Sequence, residues 1–195
     1  MATKQDKEIR SINGDFTTDR ESRTVEGYGV VFNSPSVDLG FTETIHRGAI
    51  TQDTINASDV FCRFNHDNNK ILARSKKGVG SLELTIDETG VKYRFQAPKT
   101  ALGDELLEYL ERGDITASSF AFTIDPKDKD AEKWTNKDGV LYRDIYKINR
   151  LYDVAPVFQP AYEATTCSKR YEAVKNTADE INAIMDKIIS EIETL

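Results

Sequence analysis

Alternation of apolar and polar residues about a tight turn is the feature that most constrains the fold of this chain. The segment SLELTI (81–86) places Leu82, Leu84 and Ile86 on one side, and VKYRFQA (91–97) returns with the same alternation. The intervening DETG has the residue types of a hairpin turn. Because successive side chains of a strand point to opposite faces, we expect an antiparallel hairpin with one buried face.

Similar runs between residues 24 and 160 predict further strands, and two segments predict helices. The predicted strands are TVEGYGVVFNSP, FTETI, VFCRF, ITASSFAFTI, VLYRDIYKI and RLYDVAPVFQP. A short helix is expected around residues 50–56, and a longer one in KTALGDELLEYLERGD, with Thr100 as N-cap and Gly113 at its end. The sequence therefore predicts a mainly β (α+β) domain with six to eight strands, largely antiparallel, and one or two packed helices.

The two ends of the chain differ from this middle part. Residues 1–23 are polar and without period, which predicts a loose N-terminal arm. From Val174 apolar residues recur in steps of four and three, the heptad spacing of an amphipathic helix. We therefore divide the chain into an arm (1–23), a β-domain (24–168) and a C-terminal helix (169–195). That helix would pack on the β-domain, on a second copy or on another protein.

Composition excludes several classes of function. The net charge of -7 argues against a nucleic-acid partner, since phosphate backbones are bound by clustered Lys and Arg. No stretch approaches the roughly 18 apolar residues of a membrane span, and the start MATKQDKEIR lacks the apolar core of a signal peptide, so we expect an intracellular protein without membrane contact. Cys62 and Cys167 have no metal-ligand spacing; two free thiols, no metal and no organic cofactor are expected.

Only two histidines are available for chemistry. His46 follows a strand beside Arg47 and is expected to be an exposed loop residue. His66 ends the run VFCRF and precedes a polar turn, DNN, which would leave the imidazole at the rim of a sheet. This context is compatible with a ligand, a catalytic base or the polar end of a strand.

Two further polar residues lie in predicted strands. In ASSFAF, Ser118 shares a face with two phenylalanines, whereas Ser119 lies between alanines and has the room that a nucleophile needs. The alternative is a domain interior that only requires small residues there. In LYDVAPVF, Asp153 interrupts an apolar strand, so it is either exposed on an edge or buried with a partner such as histidine. Asp, His and Ser together would make the arrangement in which a carboxylate orients an imidazole that takes a hydroxyl proton.

Five motifs in order carry a family resemblance over residues 24–166. FTETIHRGAI, FCRFNHDNNKILAR, GSLELTIDETGVKYRFQAP, GDELLEYLERGDITASSFAF and LYDVAPVFQPAYEAT resemble the prohead (head maturation) protease family of tailed bacteriophages, which is related to the herpesvirus assemblins. The resemblance implies an assemblin-like β-barrel. It also implies a serine endopeptidase that cleaves scaffolding segments of capsid proteins, and itself, inside the immature capsid in the host cytoplasm.

The resemblance also implies roles for particular residues. The histidine of the NHD motif is His66, which would be the base, and the serine before the first Phe of the SFxF motif is Ser119, which would be the nucleophile. The acidic residue that precedes the PAY motif is Asp153, at a position where the family usually has Glu. Arg143 and Arg150 are candidates for stabilising the oxyanion, by their charge or by ordering a loop. Pro156, in a segment where the family more often has Ser-Val, removes a backbone donor and puts the local strand pairing in question.

Two functions from different classes stay open. The first is the protease, with a capsid protein as substrate and with self-association into a dimer or larger assembly. The second is a catalytically silent capsid-assembly module that keeps the same domain and uses its C-terminal helix to bind partners.

Overall fold

The computed structural model describes residues 7–14, 16–158, 175–177 and 184, and this part of the chain is mainly β with few helices. The strands are β1 (Glu8–Asn13), β2 (Thr17–Asp19), β3 (Thr24–Val31), β4 (Thr42–Ile45), β5 (Asp59–Arg63), β6 (Ile71–Lys76), β7 (Val79–Gly80), β8 (Leu82–Ile86), β9 (Gly90–Gln96), β10 (Ala117–Thr123), β11 (Glu132–Lys137), β12 (Val140–Ile145) and β13 (Arg150–Val157). The helices are α1 (Gln52–Ala57) and α2 (Ala101–Arg112), and a short 3-10 turn spans Phe64–His66.

The strands form three hydrogen-bonded sheets. Their orders are β1-β10-β13-β5-β6-β7, β2-β3-β9-β8 and β11-β12-β4. Most neighbours are antiparallel, as expected, but β13 with β5 and β12 with β4 are parallel. Each sheet keeps two edge strands, so within the described residues no ladder closes on itself. The predicted barrel of six to eight strands is therefore wrong.

The N-terminal segment is part of the fold. β1 pairs with β10 from Glu8 opposite Phe122 to Asn13 opposite Ala117, and β2 pairs with β3. The prediction of a loose arm over residues 1–23 is therefore wrong for these two strands. The charged residues of β1, Glu8 and Arg10, are buried against opposite charges. The strand was missed because its buried positions are charged and not apolar.

Local signals located the helices and the hairpin well. Thr100 accepts a hydrogen bond from the Gly103 N–H at the start of α2, and Gly113 ends the helix with a φ of 72°. β8 and β9 form the predicted hairpin, with Leu82 opposite Phe95. The polar segment 125–134 runs into β11, which begins at Glu132.

The six-stranded and four-stranded sheets share the main core. Phe120 and Phe122 of β10 are buried in it, and the Ser118 hydroxyl lies 2.8 Å from the Tyr93 hydroxyl of β9. A Cβ at Gly29 would lie 2.7 Å from Cγ1 of Val154, so glycine allows β3 to approach β13 this closely. β10 and β13 are antiparallel neighbours, so this core packs against both strands that carry Ser119 and Asp153.

The predicted C-terminal helix over 169–195 lies almost wholly outside the described residues. Only 175–177 and 184 are described there, and they are helical and exposed. Neither α1 nor α2, nor any other helix among the described residues, is long and apolar enough to cross a membrane.

Candidate active site

Ser119, His66 and Asp153 lie in mutual contact although they are far apart in the chain. His66 Nε2 is 2.6 Å from Ser119 Oγ, and His66 Nδ1 is 3.3 Å from Asp153 Oδ2. Strand pairing explains the meeting, because β13 lies between β10, which carries Ser119, and β5, which leads to His66. The order nucleophile, imidazole, carboxylate is the one required for proton transfer from a serine hydroxyl.

His66 lies in a turn whose backbone is strained. Asn65 and His66 have φ values of 52° and 58°, in the left-handed region that non-glycine residues rarely adopt. The pairing of β5 with β6 shifts register between Cys62 and Arg63, and the 3-10 turn that follows contacts β13. Strained backbone of this kind persists where surrounding structure holds a functional side chain in place.

Pro156 does not interrupt the strand pairing beside the site. It pairs in register with Ser118, while β5 pairs with β13 only as far as Val154. The 3-10 turn that follows β5 also contacts β13, through His66 and Asp153. Pro156 lacks a backbone donor, but β5 pairs with β13 only as far as Val154, so β5 needs no hydrogen bond from Pro156.

The two neighbouring serines point in opposite directions, as their alternation predicted. Ser118 faces the core and contacts Tyr93, whereas Ser119 contacts His66. Ser119 is nevertheless 0% exposed. Its hydroxyl donates a hydrogen bond of 2.7 Å to the backbone carbonyl of Arg10 in β1.

Arg63 belongs to the site, and sequence reasoning missed it. Its Nη1 donates to Asp153 Oδ2 at 2.6 Å, and its guanidinium lies 4.5 Å from the centre of the Phe61 ring. Asp153 is 2% exposed, so its carboxylate needs a counter-charge. The signal that could have revealed it is a cation three residues before His66, inside the motif that carries the resemblance.

The structure brings neither oxyanion candidate to Ser119. Arg143 is fully buried, and its N–H groups are directed at three carboxylates, those of Glu8, Glu43 and Glu132. Arg150 lies opposite Thr123, four residues along β10 from Ser119, which is roughly 13 Å at the rise of a strand. Direct donation by the Arg143 guanidinium is therefore excluded, because its donors are already used.

The remaining candidate residues have structural surroundings. His46, expected to be an exposed loop residue, is half-buried, with Nε2 2.7 Å from Asp144 and its ring stacked on Tyr146. Cys62 is buried one position before Arg63, and burial raises the pKa of its thiol well above 9.0, with a further contribution from the Asp153 charge. Among the described residues, no group of three His, Cys, Asp or Glu could hold a metal ion.

Comparison with known proteins decides the family. A family model described as caudovirus prohead serine protease matches residues 6–180. The chain belongs to this family. The assignment confirms the resemblance carried by the five motifs and makes the chain a member of a family of phage capsid-maturation serine peptidases.

One solved structure similar to the chain is that of the bacteriophage T4 capsid assembly protease, gp21. The two chains are 13% identical, and the match covers 78% of this chain and 99% of the other, with a TM-score of 0.45. No curated protein matches the chain.

Proposed function

We propose that this member of the prohead serine protease family is an active serine endopeptidase that uses Ser119, His66 and Asp153. The observation that carries the proposal is the continuous line of contacts from Ser119 Oγ through the His66 ring to Asp153 Oδ2. Family membership supports the same chemistry.

The proposed reaction begins with attack of Ser119 Oγ on the scissile carbonyl carbon. His66 Nε2 accepts the hydroxyl proton and later returns it to the departing amine, while Asp153 orients the imidazole and stabilises the imidazolium. Water then attacks the acyl-enzyme by the same route. The oxyanion site must be built from groups other than the Arg143 guanidinium.

The proposed substrates are scaffolding segments of the capsid protein and the protease itself, cut inside the immature capsid in the host cytoplasm. The family description places these enzymes in proheads. Self-association and the absence of a nucleic-acid partner are part of the proposal, the latter supported by the net charge of -7.

The burial of Ser119 favours a second candidate, the catalytically silent assembly module. A serine that is 0% exposed cannot meet a peptide carbonyl until a neighbouring segment moves. A silent module would never react with a fluorophosphonate, a probe that transfers its phosphonyl group to an activated serine with loss of fluoride.

The test compares the wild type with Ser119→Ala and, as a matched control, Ser118→Ala. All three proteins are expressed and concentrated, and their termini are mapped by mass spectrometry. We expect self-cleavage in the wild type and in Ser118→Ala and none in Ser119→Ala, because only Ser119 contacts His66. Identical processing of the wild type and Ser119→Ala would remove Ser119 from the nucleophile's role.

A further inference from the structure

In the structure, the donor and acceptor in the contact between Ser119 and His66 are the reverse of those that catalysis requires. A serine hydroxyl has one hydrogen, and Oγ has two close neighbours: the Arg10 carbonyl oxygen at 2.7 Å and His66 Nε2 at 2.6 Å. A carbonyl oxygen only accepts, so the hydroxyl hydrogen lies between Ser119 and Arg10. The contact with His66 must then be made by a hydrogen on Nε2.

A hydrogen on Nε2 prevents His66 from acting as a base toward Ser119. In the productive arrangement Nδ1 carries the hydrogen, donates it to the carboxylate and leaves Nε2 free to accept. Here the Nδ1 to Asp153 distance is 3.3 Å, longer than usual for a charge-assisted hydrogen bond. The same carboxylate oxygen instead receives Arg63 Nη1 at 2.6 Å.

We propose that β1 is an inhibitory strand, which holds the site in this resting state through the Arg10 carbonyl until β1 withdraws. Arg63 acts as a positioning residue: its guanidinium supplies the hydrogen bond and counter-charge that the Asp153 carboxylate needs while the His66 hydrogen is on Nε2. Withdrawal of β1 removes the competing acceptor and uncovers the edge of β10, so Ser119 donates to His66 and becomes accessible. This inference deepens the proposed function and rests on it.

The position of β1 suits such a role. It is an edge strand near the start of the chain and pairs only with β10 among the described strands. Besides this pairing and the packing of Ile12 against the main core, β1 is attached by a buried cluster of charges, in which Glu8 and Arg10 meet Glu43 and Arg143 of the three-stranded sheet. Buried ion pairs stabilise less than apolar packing of similar volume, because both partners are desolvated. The charged anchor of β1 thus consists of contacts that can be exchanged for contacts with water.

A reversible lock tests the proposal in the full chain. Asn13 and Ala117 are cross-strand partners of β1 and β10, so Asn13→Cys with Ala117→Cys, in a Cys62→Ala and Cys167→Ser background, allows a disulfide that fixes β1. The rate of Ser119 labelling by a fluorophosphonate is measured before and after reduction of the same sample. We expect the oxidised protein to react at least about tenfold more slowly than the reduced one.

The matched control is a lock placed elsewhere. Glu83 and Arg94 are exposed cross-strand partners on β8 and β9, and Glu83→Cys with Arg94→Cys should leave the labelling rate independent of reduction. Equal and measurable rates for the oxidised and reduced β1 lock would overturn the inhibitory role of β1. Absence of labelling in both states, with the Nε2 hydrogen of His66 still seen by nitrogen NMR, would count against the proposed function and not against the role of β1.

Nitrogen NMR tests the resting hydrogen without any need for activity. The chain has only two histidines, so His46→Gln leaves His66 as the sole imidazole. We expect Nε2 of His66 to be protonated in the oxidised lock, and also in the reduced protein as long as β1 stays paired with β10. An unprotonated Nε2 in the locked protein would overturn the proposal.

Discussion

Asp153 stands where the family resemblance implies a glutamate, and its carboxylate lies 3.3 Å from Nδ1 of His66. Asp153→Asn removes the charge while keeping the shape, so we expect Ser119 labelling to fall by about 10²- to 10⁴-fold. Asp153→Glu keeps the charge and should retain labelling within about tenfold. The measurement is the fluorophosphonate rate, and an Asn variant as reactive as the wild type would exclude Asp153 as the orienting acid.

The turn at Asn65 gives a second prediction at this scale. Asn65 is exposed, so its substitutions act mainly through the backbone, whose φ is 52°. Asn65→Gly should leave the free energy of unfolding unchanged or raise it slightly, whereas Asn65→Val should lower it by about 1–3 kcal/mol. Urea unfolding measures both. Equal stability of the two variants would mean that the turn stores no such strain.

The direction of a side chain was predictable where strand alternation determines it. The contacts of a side chain were not predictable where the partner is distant in the chain. The opposite directions of Ser118 and Ser119 followed from the period of a strand. The meeting of Ser119 with His66 was implied by the family resemblance, because nothing in spacing brings residues 53 positions apart into contact. Arg63 was missed since its role depends on burial of Asp153, which only the fold reveals.

At the scale of elements, β1 shows why charged strands escape detection. Its inward positions carry Glu8 and Arg10, where the alternation rule expects apolar side chains. Besides pairing with each other, they contact Glu43 and Arg143 of the three-stranded sheet, and no local sequence pattern predicts these distant partners. α2, by contrast, was predictable because its cap at Thr100 and its stop at Gly113 are local.

The charge cluster that anchors β1 predicts a large effect of removing one member. Arg143 is fully buried among Glu8, Glu43 and Glu132, so Arg143→Met removes one of the two guanidinium groups that neutralise these carboxylates and leaves only Arg10, which contacts Glu8 and Glu43. We expect the free energy of unfolding, measured in urea, to fall by about 3–5 kcal/mol. Arg47→Met, at an exposed pair with Glu88, is the control and should change it little. A small effect at Arg143 would show that β1 is anchored by other contacts.

At the scale of the molecule, the fold class was predictable and the closure of the sheets was not. Alternation and turn residues identify strands, but they do not say which strands are neighbours. Here parallel pairing of β13 with β5 and of β12 with β4 joins distant segments. The strands consequently divide among three sheets where the resemblance implied a single barrel.

Stability of the whole molecule should fall in alkali because of two buried acids. Burial raises the pKa of Cys62 and of Tyr93 well above 9.0 and 10.0 respectively. Below about pH 8.5 both groups are protonated in the folded and the unfolded chain, so the free energy of unfolding is at its full value. Above that pH the unfolded chain releases protons that the folded chain retains, and the free energy of unfolding falls by about 1.4 kcal/mol per pH unit for each group. Urea unfolding from pH 8 to 11 should show Cys62→Ala weakening the dependence from about pH 9 and Tyr93→Phe from about pH 10. Unchanged slopes in both variants would contradict this assignment.

The most direct measurement of the central claim is the position of the fluorophosphonate adduct on the concentrated full-length protein, mapped by peptide mass spectrometry. The protein is labelled as the wild type, as Ser119→Ala and as His66→Ala, each also with the reduced β1 lock, in which β1 is free to withdraw. We expect one adduct, on Ser119, which disappears in Ser119→Ala and falls to the background rate in His66→Ala. An adduct that persists in Ser119→Ala, or no adduct in the protein whose β1 is free to withdraw, would contradict a serine protease built on Ser119, His66 and Asp153.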